Sequence, residues 1–374
     1  MNLDDYLHDL KTLVGIDSGS YDAAGVNKIG DFVAERLGVL GFDVERRQTL
    51  PELGDIVIGR RRGTGSRRIL LLAHMDTVFA SGTAAARPFR TSGSRAYGPG
   101  VCDDKAGLLA GLYAVQTLVA QGREPYGELV LCASPDEEIG APGSRPVIEA
   151  LGGQADYALC LECARENGDL VSARKGVADL TVVVEGRAAH AGIEPERGAN
   201  AALAAAHLII GLQELNGLVP GVTVNAGVIR AGSRPNVVCP EARIEIEVRA
   251  PAVRDLDTVL HAADRLAADS RVPGTRATVR RGPITPPMEA TPETLGMLAL
   301  AQAIASELCL QIEGAPTGGV SDANLTAGVG TPTLDGLGPV GGDDHSETEW
   351  LDLTSIVPRV TLLTTLIERL SERQ

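Results

Sequence analysis

Apolar residues recur at three-to-four spacing over Leu3 to Val14 and over Val26 to Leu40, as they do in helices that bury one face. Phe42 to Glu45 and Asp55 to Gly59 are short and β-rich. Two stretches that are apolar on both faces follow, Ile69 to Ala73 and Leu129 to Ala133, with Ala158 to Leu161 as a third. The Ala/Leu-rich run Ala106 to Ala120 is predicted to be the crossover helix between the first two. Strands can abandon polar alternation only where both faces are buried, so this order predicts an α/β fold with a mixed, mostly parallel sheet and helices on both faces.

The middle of the chain has another rhythm. Leu180 to Glu185, Ala199 to Glu214, Thr223 to Ala231, Ala242 to Ala250, Leu256 to Ala267 and Arg276 to Arg281 spell β-α-β-β-α-β, the ferredoxin-like arrangement. Its strands alternate: Arg243, Glu245 and Glu247 oppose Ile244, Ile246 and Val248, so one face meets helices and the other meets solvent or a partner. From Thr291 the α/β rhythm resumes, with a strand at Pro332 to Asp335 and a last helix at Leu353 to Leu370. The expected organisation is one α/β domain built from residues 1–177 and 288–374, interrupted by an inserted domain at 178–287.

Composition narrows the partners. The 374 residues carry a formal charge of −15, which phosphate backbones and anionic lipid repel, so nucleic acid is not an expected partner. No stretch is apolar for long enough to span a membrane, and the acidic start MNLDDYLHDL lacks the basic, apolar character of an export signal, so a cytoplasmic chain is expected. The six cysteines are scattered among apolar residues and are expected to be reduced core thiols. Cys160 and Cys163 form a CxxC with no second pair, to which neither a redox nor a zinc role is assigned.

Five places set His, Asp or Glu directly after an apolar strand or in a Gly-rich loop, where open α/β sheets bind ligands. LLLAHMDTV carries His74 and Asp76, whose two-residue spacing points both side chains the same way. YGPGVCDDKAG delivers Asp103, Asp104 and Lys105 at a helix start, where an Asp could equally serve as a plain N-cap. LVLCASPDEE puts Asp136, Glu137 and Glu138 after a buried strand, a cluster that is costly unless cations compensate it. Glu162 ends ALCLE, and His345 sits in GGDDHSETEW ahead of the last helix. Two His with several carboxylates suit zinc, or two zincs bridged by one Asp, better than calcium or a thiolate site.

These motifs resemble, over essentially the whole chain, the zinc-dependent aminoacylase and carboxypeptidase family that includes acetylornithine deacetylase, succinyl-diaminopimelate desuccinylase and the folate-hydrolysing glutamate carboxypeptidases. The resemblance implies two zincs per chain. His74 and Glu162 would hold one, Glu138 and His345 the other, with Asp103 bridging them. It also implies Asp76 as the acid that orients His74, Glu137 as general base, and a cis peptide between Asp103 and Asp104. In the inserted segment, EGRAAHAGIEPERGANA resembles a lid and dimerisation region whose histidine, here His190, reaches a partner subunit's site. Asn236 in RPNVVCP and Gly318, Gly319 and Asp322 in TGGVSDA resemble loops that contact the substrate carboxylate or oxyanion. Arg281 stands where the carboxypeptidase branch has a similar Arg; on charge alone Arg281, Arg234 and Arg174 are all weaker candidates to hold a substrate carboxylate, because surface Arg are common. Cys163 stands after Glu162 where that branch tends to have Pro. The resemblance thus implies a homodimeric zinc metallopeptidase that cleaves an amide beside a free carboxylate. An N-acyl-amino-acid deacylase or dipeptidase uses the same residues, whereas a non-catalytic metal-binding scaffold would not need Glu137.

Overall fold

The computed structural model describes residues 1–373 and divides into two compact units, one of residues 1–173, 290–317 and the segment from 321 onward, the other of residues 174–289 and 318–320. The first unit is built on a six-stranded sheet in the order Asp43–Gln48, Asp55–Arg62, Glu128–Ser134, Arg68–His74, Tyr157–Cys160, Thr333–Leu334. The last four strands are mutually parallel and the first two are antiparallel. Along Arg68–His74, Ile69, Leu71 and Ala73 join one large apolar core, while Leu70 and Leu72 are just as buried but belong to the opposite layer. Because alternate residues on a strand face opposite sides, burial of both sets fits a sheet covered on both faces.

Helix Lys105–Ala120 is buried along nearly its whole length, with Leu3–Val14 and Ile356–Ser371 packed against it, which is why its sequence carries so little polar surface. On the other layer, Arg145–Gly152 and Asp322–Gly328 pack on each other, the latter also against Tyr157–Cys160. A small antiparallel sheet that the sequence did not suggest joins Gly341–Gly342, Trp350–Asp352, Arg95–Tyr97 and Arg90–Ser92. It ties the loop after residue 342 to the loop before residue 104.

In the second unit, four antiparallel strands lie in the order Thr223–Ala231, Glu241–Ala250, Gly176–Glu185, Arg276–Thr285. Helices Ala201–Gln213 and Val253–Ala268 cover one face, where Leu180, Val182, Ile244, Ile246 and Val248 form the core. Among the described residues no helix is long and apolar enough to cross a membrane. All six cysteines are free. Cys309 corrects the expectation of core thiols: it is exposed in the turn after helix Pro292–Glu307, with φ of 59°.

Candidate active site

The carboxyl ends of the parallel strands converge. His74 ends its strand in register with Ser134 on the neighbouring one, and Glu162 lies two residues beyond the end of Tyr157–Cys160. His74 and Asp76 are both about 1% exposed, so every polar atom there needs a partner. His74 Nδ1 lies 3.0 Å from the Asp76 carbonyl oxygen and 3.3 Å from its carboxylate Oδ1. The Asp76 carboxylate also accepts from the Ser20 hydroxyl at 2.6 Å and from the backbone N–H groups of Glu137 and Glu138 at 3.1 and 3.2 Å. One buried acid therefore aligns the imidazole and the turn that carries both glutamates.

The other ring nitrogen of His74 faces Asp103 Oδ1 at 2.9 Å and Glu162 Oε1 at 3.7 Å. Asp103 turns its second oxygen to His345 Nε2 at 3.1 Å, and His345 Nε2 lies 3.0 Å from Glu138 Oε2. Asp103 thus belongs to two donor groups at once, His74–Asp103–Glu162 and Asp103–Glu138–His345. Atoms that share a zinc at about 2.0–2.2 Å stand roughly 3–3.5 Å apart, so the donor types and most of these spacings fit one ion in each group.

Asp103 is aimed from behind. Glu349, 1% exposed, accepts the backbone N–H groups of Gly100, Cys102 and Asp103 at 2.8, 2.8 and 3.1 Å. Lys105, equally buried, donates to the carbonyls of Ile16 and Pro99 at 2.9 and 3.2 Å, and burial lowers its pKa to about 8. The Asp103–Asp104 peptide is cis. Asp104 occupies the helix N-cap position without making a side-chain cap bond. Its Oδ2 instead accepts the His74 backbone N–H at 3.3 Å. The capping alternative raised by the sequence is therefore not what holds this side chain.

Charge explains what the cluster needs. Burial, then the Glu162 charge, push Glu137 well above its ordinary pKa, and burial likewise raises Glu138. Burial disfavours a charged His74, yet Asp103, Asp76 and Glu162 hold its pKa well above the usual value. Hydrogen bonds that His345 donates to Asp103 and Glu138 raise its pKa to about 10. Like charges 4 Å apart repel by about 4 kcal/mol at an effective dielectric of 20, so these acids must hold protons or face cations. Divalent ions at the two donor groups would release the protons and leave Glu137, a member of neither group, as a carboxylate beside them.

The chain matches the family model for peptidase family M20/M25/M40 over residues 70–369. It belongs to that family. It is 32% identical to carboxypeptidase G2 of Pseudomonas sp. (strain RS-16) over 365 residues, covering 96% of this chain and 87% of that protein. Its fold overlays aminopeptidase PepT of Bacillus cereus with a TM-score of 0.84 at 23% identity, covering all of both chains. It also overlays a Bacillus subtilis dinuclear metal-binding peptidase of the M20 family with a TM-score of 0.74 at 18% identity, covering 99% and 98% of the two chains. The chain is thus a hydrolytic enzyme of the peptidase and amidohydrolase type, with the mixed α/β fold of that family.

The remaining sequence candidates, Asp322 apart, lie in the second unit. His190 is exposed, its Nδ1 accepting from the Gly192 N–H at 3.2 Å, and it pairs across a β-bridge with Val237, beside the exposed Asn236. The Gly318 and Gly319 carbonyls accept from Arg249 at 2.7 Å and Arg174 at 3.2 Å. Arg281 is ion-paired with Asp264 of helix Val253–Ala268. Asp322, in the first unit, accepts from the Ser134 hydroxyl at 2.6 Å, and burial raises its pKa to about 7. Sequence reading missed Ser20 and Glu349. Glu349 stands as one acid among many in GGDDHSETEW, and only the fold shows it turned inward onto the 100–103 loop.

Proposed function

We propose that this chain is a di-zinc exopeptidase of the glutamate carboxypeptidase type, cleaving the amide that joins an acyl or peptidyl group to glutamate with a free α-carboxylate. The observation that carries this reading is Asp103, whose two oxygens each face a different histidine, with Glu137 beside them. The 32% identity to carboxypeptidase G2 across nearly the whole chain supports the substrate class.

In this reading His74, Asp103 and Glu162 hold one zinc, and Asp103, Glu138 and His345 the other. Bound there, zinc supplies Lewis acidity to the amide carbonyl and lowers the pKa of water in the site. Glu137 takes the proton of the attacking water and returns it to the departing nitrogen, and the Asp76 carboxylate keeps its backbone in place for both transfers. His190 donates to the developing oxyanion from a partner subunit. Asn236, Arg281, Gly318 and Gly319 contact the substrate carboxylate, for which Arg281 must exchange its Asp264 partner.

The test is a substrate panel on zinc-loaded protein together with elemental analysis. Two tightly held zincs and a kcat/KM highest for folate-type or peptidyl glutamate are expected. A preference for acetylated neutral amino acids would replace the carboxypeptidase reading with a deacylase one, and full activity with one metal would remove the dinuclear centre.

A further inference from the structure

A third donor set converges next to the two histidine groups. Cys102 Sγ, Cys163 Sγ and a carboxylate oxygen of Asp344 all lie within 4.8 Å of one another, with Cys163 Sγ 3.5 Å from Asp344 Oδ2. Each is the chain neighbour of a residue in the first two groups: Cys102 precedes Asp103, Cys163 follows Glu162, and Asp344 precedes His345. The same three loops therefore carry this donor set and Asp103, Glu162 and His345 of the histidine groups.

The backbone is shaped around these sulfurs. A Cβ on Gly341 would come within 2.1 Å of Cys102 Sγ, so only glycine lets that strand pass. Glu349 fixes the Cys102 N–H at 2.8 Å. On either side of Cys163, the Glu162 carbonyl accepts from Gly338 at 2.9 Å and the Ala164 N–H donates to Pro339 at 3.1 Å. Asp344 sits between Asp343 and His345, both non-glycine residues with positive φ, of 57° and 62°, a conformation that L side chains keep only where the surroundings enforce it.

We propose that Cys102, Cys163 and Asp344 form a third cation site, selective for a thiophilic divalent ion such as zinc or cadmium and distinct from the two histidine groups. Two sulfurs make the set soft, whereas the histidine groups offer only nitrogen and oxygen. Three protein ligands leave the fourth tetrahedral position to water, and the exposed Asp344 gives the ion a route in. Binding releases the thiol protons to solvent and sets two thiolates and one carboxylate against a dication. An ion there clamps the three loops that present Asp103, Glu162 and His345.

Cobalt(II) titration of the reduced full-length protein tests this. Thiolate ligation gives cobalt an intense near-ultraviolet charge-transfer band that nitrogen and oxygen ligands do not. The wild-type chain should show the band and take up a third metal equivalent beyond the two of the histidine groups. Cys163→Ser should lose both while keeping the first two equivalents, and Asp344→Asn, a surface change, should weaken the band, with circular dichroism confirming that each variant is folded. Absence of the band, or its survival in Cys163→Ser, overturns the proposal. So does loss of two free thiols on air exposure with no band on the reduced protein, which would make Cys102 and Cys163 a redox pair. The band reads sulfur ligation alone, so its absence leaves the dinuclear centre standing, while a band with no metal at the histidine groups would fail that reading instead.

Discussion

Glu137 is half-buried beside the two donor groups, its backbone held by Asp76 and its carboxylate outside both metal-capable sets. Glu137→Gln keeps the shape and removes the proton acceptor. Turnover should fall roughly 10² to 10⁴-fold, with bound metal unchanged by elemental analysis. Turnover near wild type would hand the proton to another acid. Asp136 is poorly placed for that, since its carboxylate is occupied by the Gly143 and Ser144 N–H groups and the Ser144 hydroxyl. The acids of this region also set a pH dependence for the metal-free protein. Burial raises Glu349 and Asp322 to about 7 each, so above the ordinary carboxylate range the folded state holds protons that the unfolded chain has already released. By linkage, stability then falls as pH rises through about 7. His345, raised to about 10 by Asp103 and Glu138, acts in the same direction, because its protonated form stabilises the fold below its unfolded pKa and that gain disappears as pH climbs. Asp103, held low by the histidines against the effect of burial, opposes this only at acid pH. Chelator-treated protein should therefore show a thermal midpoint that falls from about pH 5 to about pH 8, and zinc should restore most of the loss at the upper end. A midpoint that rises over that interval would contradict this assignment.

The last helix, Ile356–Ser371, shows how a distant element braces the site. Arg359, 2% exposed, donates to the carbonyls of Gly338, Gly336 and Gly168 at 3.0, 2.7 and 3.0 Å, pinning the turn after strand Thr333–Leu334. Arg359→Met keeps most of the apolar stem but leaves three carbonyls unpaired, and should destabilise the protein by at least about 1–3 kcal/mol in denaturant unfolding. A loss below that range would mean water replaces the guanidinium. The sequence carried no sign of this role, because the partners are backbone carbonyls far along the chain. What it did carry was periodicity: Leu3–Val14 and Thr223–Ala231 match their expected bounds, and the parallel strands were recognisable because burial on both faces removes polar alternation. The short sheet of Arg90–Ser92, Arg95–Tyr97, Gly341–Gly342 and Trp350–Asp352 left no trace, since strands of two or three residues are too brief to show a period. Glu349 was hidden with it. The histidines and acids of the site were visible because each follows an apolar strand or a glycine-rich turn. That two of them share Asp103 is a matter of three-dimensional placement, and in the sequence only the family resemblance pointed to it.

The second unit leaves apolar surface that a lone chain has no evident use for. On helix Ala201–Gln213, Leu203 and Ile210 are 49% and 58% exposed and lie seven residues apart on one face, and Ile229 on the edge strand Thr223–Ala231 is 53% exposed. That strand pairs on one side only, with Glu241–Ala250, so its other edge offers free backbone groups to a second chain. Apolar residues beside an open edge are the usual marks of an interface, and a symmetric homodimer through this surface is the expected assembly. If so, Ile210→Glu combined with Ile229→Lys should give a monomer in sedimentation. The functional consequence is sharper. His190 is exposed, and if it serves the partner's site, a chain lacking it is rescued by a neighbour that has it. His190→Ala and Glu137→Gln should each be nearly inactive alone, since one removes the oxyanion donor and the other the base. When the two are unfolded and refolded together, mixed dimers pair an intact Glu137 site with an intact His190 from the other chain. Random exchange makes half of the dimers mixed, each with one working site, so about a quarter of wild-type activity per chain should return. If His190 acts within its own chain, every site in the mixture lacks one of the two groups and no activity returns. That outcome would leave a dimer, if one forms, without a part in catalysis.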